Sequence, residues 1–390
     1  MLNFDFYNPT RILFGTDKIP ELARWVPADA RVLLLYGGGS AQKTGTLDEV
    51  KAALGERTVF EFGGIEPNPT YETLMRAVEQ VKRDGIDFLL AVGGGSVIDG
   101  SKFVAAAACF DGEPWSILET HGRNITRALP LGAVLTLPAT GSEMNSGAVV
   151  TRKATQTKLA FSSVHCFPVF SVLDPTKTYT LPTKQIANGI VDAFVHTVEQ
   201  YLTYPVQALA QDRIAEGLLQ TLIEIAPAAL AEPPEPDNYD SRANLMWTAT
   251  LALNGIVGAG VPQDWATHMI GHELTALYNI DHARTLAIVL PSLLHVQRQP
   301  KRAKLLQYAE RVWHIAPDSA SEDERIDQAI ARTRAFFESV GIATRLQDYG
   351  LGAEAVDAVV AQLTAHKMVA LGEQRSITPE VSRAILQGAL

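Results

Sequence analysis

Asp87-Phe-Leu-Leu-Ala-Val-Gly-Gly-Gly-Ser-Val-Ile-Asp99 decides the fold. Its apolar run is short and ends on glycine, the pattern of a strand buried on both faces. Gly93-Gly94-Gly95-Ser96 turns the chain, and the Ala-rich stretch from Val97 to Cys109 is good helix former. Upstream, Arg31-Val-Leu-Leu-Leu-Tyr36 runs into a second such turn, Gly37-Gly38-Gly39-Ser40. Thr58–Phe62 and Gly132–Leu137 read as further strands, and Tyr71–Arg83 has helical spacing of Leu74, Val78 and Val81. Strands alternating with helices predict a parallel, Rossmann-like α/β sheet covered on both faces.

Working outward, Phe4–Gly15 and Val149–Phe161 alternate and are expected as edge hairpins. The text changes at Leu181-Pro182. Beyond it come long periodic segments, Lys184–Leu202, Gln207–Leu230, Ser241–Leu253 and Glu322–Val340, and no strand. The expected division is an α/β domain over 1–182 and an all-helical domain over 183–390. Ala231–Asn238, rich in proline and acid, is expected as a surface loop.

The 390 residues are too many for one ordinary core. They are 47% hydrophobic and 19% charged, a globular profile. A net charge of −10 excludes nucleic acid and anionic membranes as main partners, since polyanions require a basic surface. Cys109 and Cys166 are not metal-spaced and read as reduced thiols. The N-terminus lacks the basic start and apolar run of a signal peptide, and no stretch is long enough to span a membrane. The expectation is a cytoplasmic protein.

Glycines after a strand let a backbone approach phosphate, and the free N–H groups of the helix start favour negative charge. The second turn therefore reads as a pyrophosphate site built on Gly94, Gly95 and Ser96, although Ile98 stands where the G-x-G-x-x-G pattern ends. The first turn offers no carboxylate to a ribose, and Lys43 is close by. Gly37, Gly38 and Ser40 leave room for a 2′-phosphate, which predicts NADP(H) over NAD(H). A third turn, Pro138–Asn145, supplies small polar groups at Thr140, Ser142 and Asn145.

The helical half carries a second chemistry. Asp192 and His196 are four residues apart, as are His268 and His272, and His282 follows ten positions on. Residues i and i+4 share a helix face, so each pair can aim two donors at one ion. One Asp with imidazoles suits a divalent transition metal. The residues around Asp192 and His196 are apolar, and a buried charge there needs a partner or a metal. Spacing alone does not say which of His268 and His272 is a ligand.

Taken together, Gly93–Asp99, Pro138-Ala-Thr-Gly-Ser142, Asp192-x3-His196 and His268-x3-His272-x9-His282 resemble the iron-containing (group III) alcohol dehydrogenases across essentially the whole chain. Phe62-Gly-Gly-Ile-Glu-Pro-Asn68, Asn188–Glu199 and Gly260–His268 are similar to the family's bacterial NADPH-dependent aldehyde reductases and butanol dehydrogenases. The resemblance implies a dinucleotide-binding domain, a helical metal-binding domain of dehydroquinate synthase-like fold and a cleft between them. It implies Asp192, His196, His268 and His282 as metal ligands and His272 as the histidine beside nicotinamide and substrate. Gly38 falls where NAD-preferring relatives carry Asp. Thr136, Thr140, Lys158 and Leu181 resemble residues around the nicotinamide, and Asp99 and Asn145 are grouped with the cofactor contacts.

The implied activity is reversible hydride transfer between NADP(H) and an aldehyde or primary alcohol at one metal, Zn²⁺ ahead of Fe²⁺ on affinity order. Ile256, Val257, Val261, Trp265 and Leu277 predict an apolar substrate pocket. Relatives form dimers, so a homodimer is expected. The alternatives are a phosphorylated substrate on the same fold, as in glycerol-1-phosphate dehydrogenase or dehydroquinate synthase, and a non-enzymatic metal- or nucleotide-binding protein.

Overall fold

In a computed structural model, which describes residues 1–231 and 238–390, the chain forms two compact units. One comprises Tyr7–Pro182 and Pro234–Asn254; the other comprises Met1–Phe6, Thr183–Pro233 and Gly255–Leu390. A single cut at residue 182 therefore does not separate them. The Tyr239–Ala252 helix groups with the sheet, and the first six residues group with the helices. The loop expected over Ala231–Asn238 lies outside the described residues for most of its length.

Among the described residues the first unit has eight strands: β1 Arg11–Phe14, β2 Arg31–Tyr36, β3 Thr58–Phe62, β4 Phe88–Gly94, β5 Leu131–Leu137, β6 Gly147–Arg152, β7 Thr157–Ser162 and β8 Phe170–Leu173. Six form a parallel sheet in the order β1-β8-β5-β4-β2-β3, and β6 with β7 make an antiparallel pair. Strand residues alternate between two cores, as a sheet covered on both faces requires. Leu33, Leu35, Leu89 and Ala91 pack on one side with the Tyr71–Asp84 and Gly95–Ala108 helices. Val32, Leu34, Leu90 and Val92 pack on the other with Leu47, Val50 and Leu54.

The chain moves from β2 outward to β3, then returns to the opposite side of β2 for β4. Strand order thus reverses between β2 and β4, the place where open α/β sheets bind ligands beyond their carboxyl ends. Tyr36 of β2 is paired with Val92 of β4, so both Gly-rich turns leave the sheet side by side.

The expected hairpin over Phe4–Gly15 is replaced by one short strand. β1 lies at the sheet edge, parallel to β8. Pro9 has no N–H for a ladder, and the Asn8 side chain donates to Met144 O and Asn254 O, at 2.8 and 2.9 Å. The pair β6/β7 takes the place expected of the second hairpin.

In the other unit, the Thr183–Tyr201 helix is buried on all sides from Ile186 to Tyr201. A helix buried all round is an internal one, and Leu209–Ala229 and His282–Val296 pack against it. Among the described residues no helix is long and apolar enough to cross a membrane.

Both cysteines are free. Burial pushes the Cys166 thiol up to about 12, and a buried thiol held in its neutral form is inert. Titration of the folded protein with dithionitrobenzoate should count one thiol, the half-buried Cys109. After unfolding in guanidinium it should count two.

Candidate metal centre and nucleotide-binding turns

Asp192 and His196 face the same way one turn apart, His196 Nε2 lying 3.6 Å from Asp192 Oδ1. His268 comes from the Ala266–Tyr278 helix. That helix ends at Asn279, which adopts a left-handed φ of 55°, and the chain reverses to start the next helix at His282. The reversal brings the His282 ring to 5.2 Å from His268 and 5.3 Å from His272, centroid to centroid. Close crossing of the two helices needs the missing side chain of Gly271: a Cβ there would stand 2.9 Å from Thr285 Oγ1.

Donor atoms of Asp192, His196 and His268 lie within 4.8 Å of one another. His282 Nε2 is 3.7 Å from Asp192 Oδ1. Two ligands held about 2.1 Å from one tetrahedral ion are about 3.4 Å apart, so these spacings fit one cation between the groups. Asp192 Oδ1 is buried and no hydrogen-bond donor reaches it. A buried carboxylate oxygen in that state calls for a cation. The donor chemistry and the geometry therefore both fit a divalent metal. Asp192, His196, His268 and His272 are each buried, whereas the His282 side chain is 23% exposed, which makes it the solvent-facing side of the cluster. His272 lies 6.2 Å from the His268 ring, edge-on. Trp265, itself at a left-handed φ of 62°, sets its ring edge-on to both His196 and His268.

Glu199 belongs to this cluster and was missed from the sequence. It lies three residues past His196, on the helix face that Asp192 and His196 occupy. Its carboxylate accepts from His268 Nδ1 and, at 2.7 Å, from the Thr267 N–H. Burial first, then the nearby Asp264 charge, push the Glu199 carboxyl well above the ordinary carboxylate range. The only hint in the sequence is an acid at i+7 from Asp192 in an otherwise apolar stretch.

In the sheet unit, the Gly95–Ala108 helix starts directly on β4. A Cβ on Gly95 would come within 2.5 Å of Thr140 Cγ2, so glycine lets the Pro138–Asn145 turn lie against the helix start. Thr140 Oγ1 accepts from Ser142 N at 3.2 Å. Ser96 and Lys158 meet at Asn68: Asn68 N donates to Ser96 Oγ at 3.3 Å, and Lys158 Nζ donates to Asn68 Oδ1 at 2.8 Å. Thr136 and Leu181 are half-buried. Gly37 and Gly38 follow β2, Ser40 is exposed, and a Cβ on Gly38 would meet nothing within 4 Å.

Asp99 and Asn145 are turned inward. Asp99 accepts from Ser142 Oγ at 2.6 Å and Val149 N at 2.9 Å. Asn145 Oδ1 accepts from Lys102 Nζ at 2.9 Å, while its amide donates to Leu253 O. Lys102, which the sequence did not flag, is fully buried and also donates to Ser142 Oγ and Gly147 O at 2.9 and 2.8 Å. Burial pulls its ammonium down to about 8, against the opposing charge of Asp99. These groups brace the third turn from within.

Comparison with known proteins gives a consistent result. The iron-containing alcohol dehydrogenase family matches residues 9–175, and its C-terminal family model matches 186–390. The chain is 61% identical to the NADPH-dependent aldehyde reductase YqhD of Escherichia coli (strain K12), with 100% of each covered. It is 40% identical to a probable NADH-dependent butanol dehydrogenase of Bacillus subtilis (strain 168), again with full coverage of both. The crystal structure of E. coli K-12 YqhD superposes with a TM-score of 0.97, covering 100% of this chain and 99% of that one at 61% identity. NADH-dependent butanol dehydrogenase A of Thermotoga maritima superposes at 0.93 with 35% identity, over 100% and 99%.

Proposed function

The chain belongs to the iron-containing alcohol dehydrogenases, and from that premise we propose that it is a metal-dependent NADP(H) oxidoreductase reducing aldehydes to primary alcohols. The convergence of Asp192, His196 and His268 on one point carries the reading. Asp192, His196, His268 and His282 would hold the cation. The donor set accepts Fe²⁺ or Zn²⁺, and affinity order assigns Zn²⁺.

When bound, the metal supplies Lewis acidity to a carbonyl oxygen and the dinucleotide supplies the hydride. The chain does the rest. Gly94, Gly95 and Ser96 open a helix whose unpaired N–H groups suit a pyrophosphate, and Thr136, Thr140, Lys158 and Leu181 line the nicotinamide side. Trp265 covers His196 and His268 with an apolar ring and keeps water off them. His272 is buried beside His282 and holds the proton that the product oxygen takes up. A phosphorylated substrate is disfavoured, because Arg284, two residues past His282, and Lys184 both face Asp281, at 3.6 and 2.7 Å.

NADPH oxidation with butanal, followed with and without chelator and beside metal analysis, tests the whole reading. Loss of turnover on chelation, regained with Zn²⁺, is the expected result; chelator-insensitive turnover would sink it. Cofactor choice has its own test at Gly38, where a new side chain meets open space. Gly38→Asp should set a carboxylate against the 2′-phosphate, a clash of about 3 kcal/mol. The preference for NADPH over NADH, read as a ratio of kcat/KM values, should fall about 100-fold.

The same proposal includes a homodimer in the cytoplasm. Met1, Leu2, Phe4 and Phe6 are exposed in a segment anchored by Leu2 N to Gly260 O at 2.8 Å. An apolar strip held in place and left uncovered fits a second copy. Sedimentation velocity should give twice the chain mass. The free thiols Cys109 and Cys166 suit a reducing compartment.

A further inference from the structure

Glu199 is buried more deeply than any ligand candidate beside it, at 2% exposure, and both of its carboxylate oxygens are engaged. One oxygen accepts from the Thr267 N–H, the other from His268 Nδ1. Its own backbone carbonyl accepts from Asp264 N at 2.9 Å. Asp264 in turn accepts from Ala266 N at 3.1 Å and pairs at 2.8 Å with buried Lys301, which also meets Glu373 at 3.0 Å. The turn that leads into the His268 helix is thus clamped at both ends, and Glu199 is the one member of the clamp that touches a histidine of the cluster.

We propose that Glu199 is a positioning residue for the metal: it holds the His268 ring by Nδ1, so that the neutral imidazole presents bare Nε2 to the cation. The inference rests on His268 being a ligand. In its ionised form the Glu199 carboxylate can only accept, which holds the ring proton on Nδ1. An amide in its place can donate to Nδ1 instead, which moves the ring proton to Nε2 and blocks the coordinating nitrogen. Partners of this kind are worth 10–100-fold in metal affinity. The molecule contains a matched control. Glu273, on the same helix as His268, is also buried and also pairs with a histidine, His366 Nδ1, at 2.7 Å, but that pair lies outside the cluster.

The test measures Zn²⁺ affinity of the purified holoenzyme by competition with a chromophoric chelator, and the visible band of the Co²⁺-substituted protein. Glu199→Gln should bind Zn²⁺ about 10–100-fold more weakly and shift the cobalt band. Glu199→Asp, which keeps the acceptor, should recover part of the loss, and Glu273→Gln should bind as the unaltered chain does. Affinity within threefold of the unaltered chain for Glu199→Gln, or an equal loss in Glu273→Gln, would overturn the proposal. If the Gln variant does not fold, Glu199→Ala, which also removes the acceptor, takes its place, and an unshifted cobalt band there overturns the proposal equally. His268→Ala separates the two levels. Retained affinity there refutes the ligand assignment, whereas loss there with none in Glu199→Gln refutes only the role of Glu199.

Discussion

His268→Ala is expected to strip the metal and lower kcat/KM for aldehyde reduction by about 10³-fold, the several kcal/mol that a Lewis-acid metal contributes. His272→Ala should part from it sharply. That variant should keep its full metal content by elemental analysis and lose about 10²–10⁴-fold in kcat, the range of a missing proton donor. The structure gives the reason for the contrast. His268 is the histidine that stacks on His196 at 4.7 Å and has its other nitrogen on Glu199. His272 lies one turn further on, edge-on to His268 and facing His282. If His272→Ala loses metal as His268→Ala does, the division of roles between the two is wrong.

The second large effect is expected in the sheet unit, at Lys102. Its ammonium serves three oxygens, on Ser142, Asn145 and Gly147, and it opposes the charge of Asp99. Lys102→Met removes the cation and leaves those acceptors and the carboxylate without it. Breaking one side of a buried polar cluster costs about 3–5 kcal/mol. The urea midpoint should fall accordingly. Because Ser142 and Asn145 belong to the turn that carries Thr140 against the Gly95 helix start, KM for NADPH should rise while metal content stays unchanged. A variant with unaltered midpoint and unaltered KM would show that the cluster braces nothing.

Much of this architecture was legible before the structure. β2 and β3 occupy the runs Arg31–Tyr36 and Thr58–Phe62 as predicted, because each is a short run rich in β-branched, aromatic or aliphatic residues. The helices were legible through their period, and their ends moved by only one or two residues. β8 was not seen: four residues, Phe170–Leu173, become a strand only because β1 and β5 flank them. The edge strand β1 was misread as half of a hairpin, since alternation says nothing about which strand will be its neighbour. At the site, the i,i+4 spacings announced a metal pattern. The supports of that pattern were silent. Glu199 meets His268, 69 residues further along the chain, and Lys102 sits in an Ala-rich stretch that reads as plain core. Long-range partners of single polar residues leave no periodic trace.

The exchange of segments between the two units bears on how the chain could be divided. A break after Pro182 looks natural on the page, yet it would leave the sheet piece without the Tyr239–Ala252 helix. Glu143 would then lose the Thr250 hydroxyl on its buried carboxylate, and the Thr178 carbonyl would lose Arg242 Nη1. The helical piece would lose Met1–Phe6 from its surface at Gly260. Each half would be missing a part that the other carries. The practical unit for grafting, swapping or circular permutation is therefore the whole chain, and any new termini belong outside 239–252 and outside the first six residues.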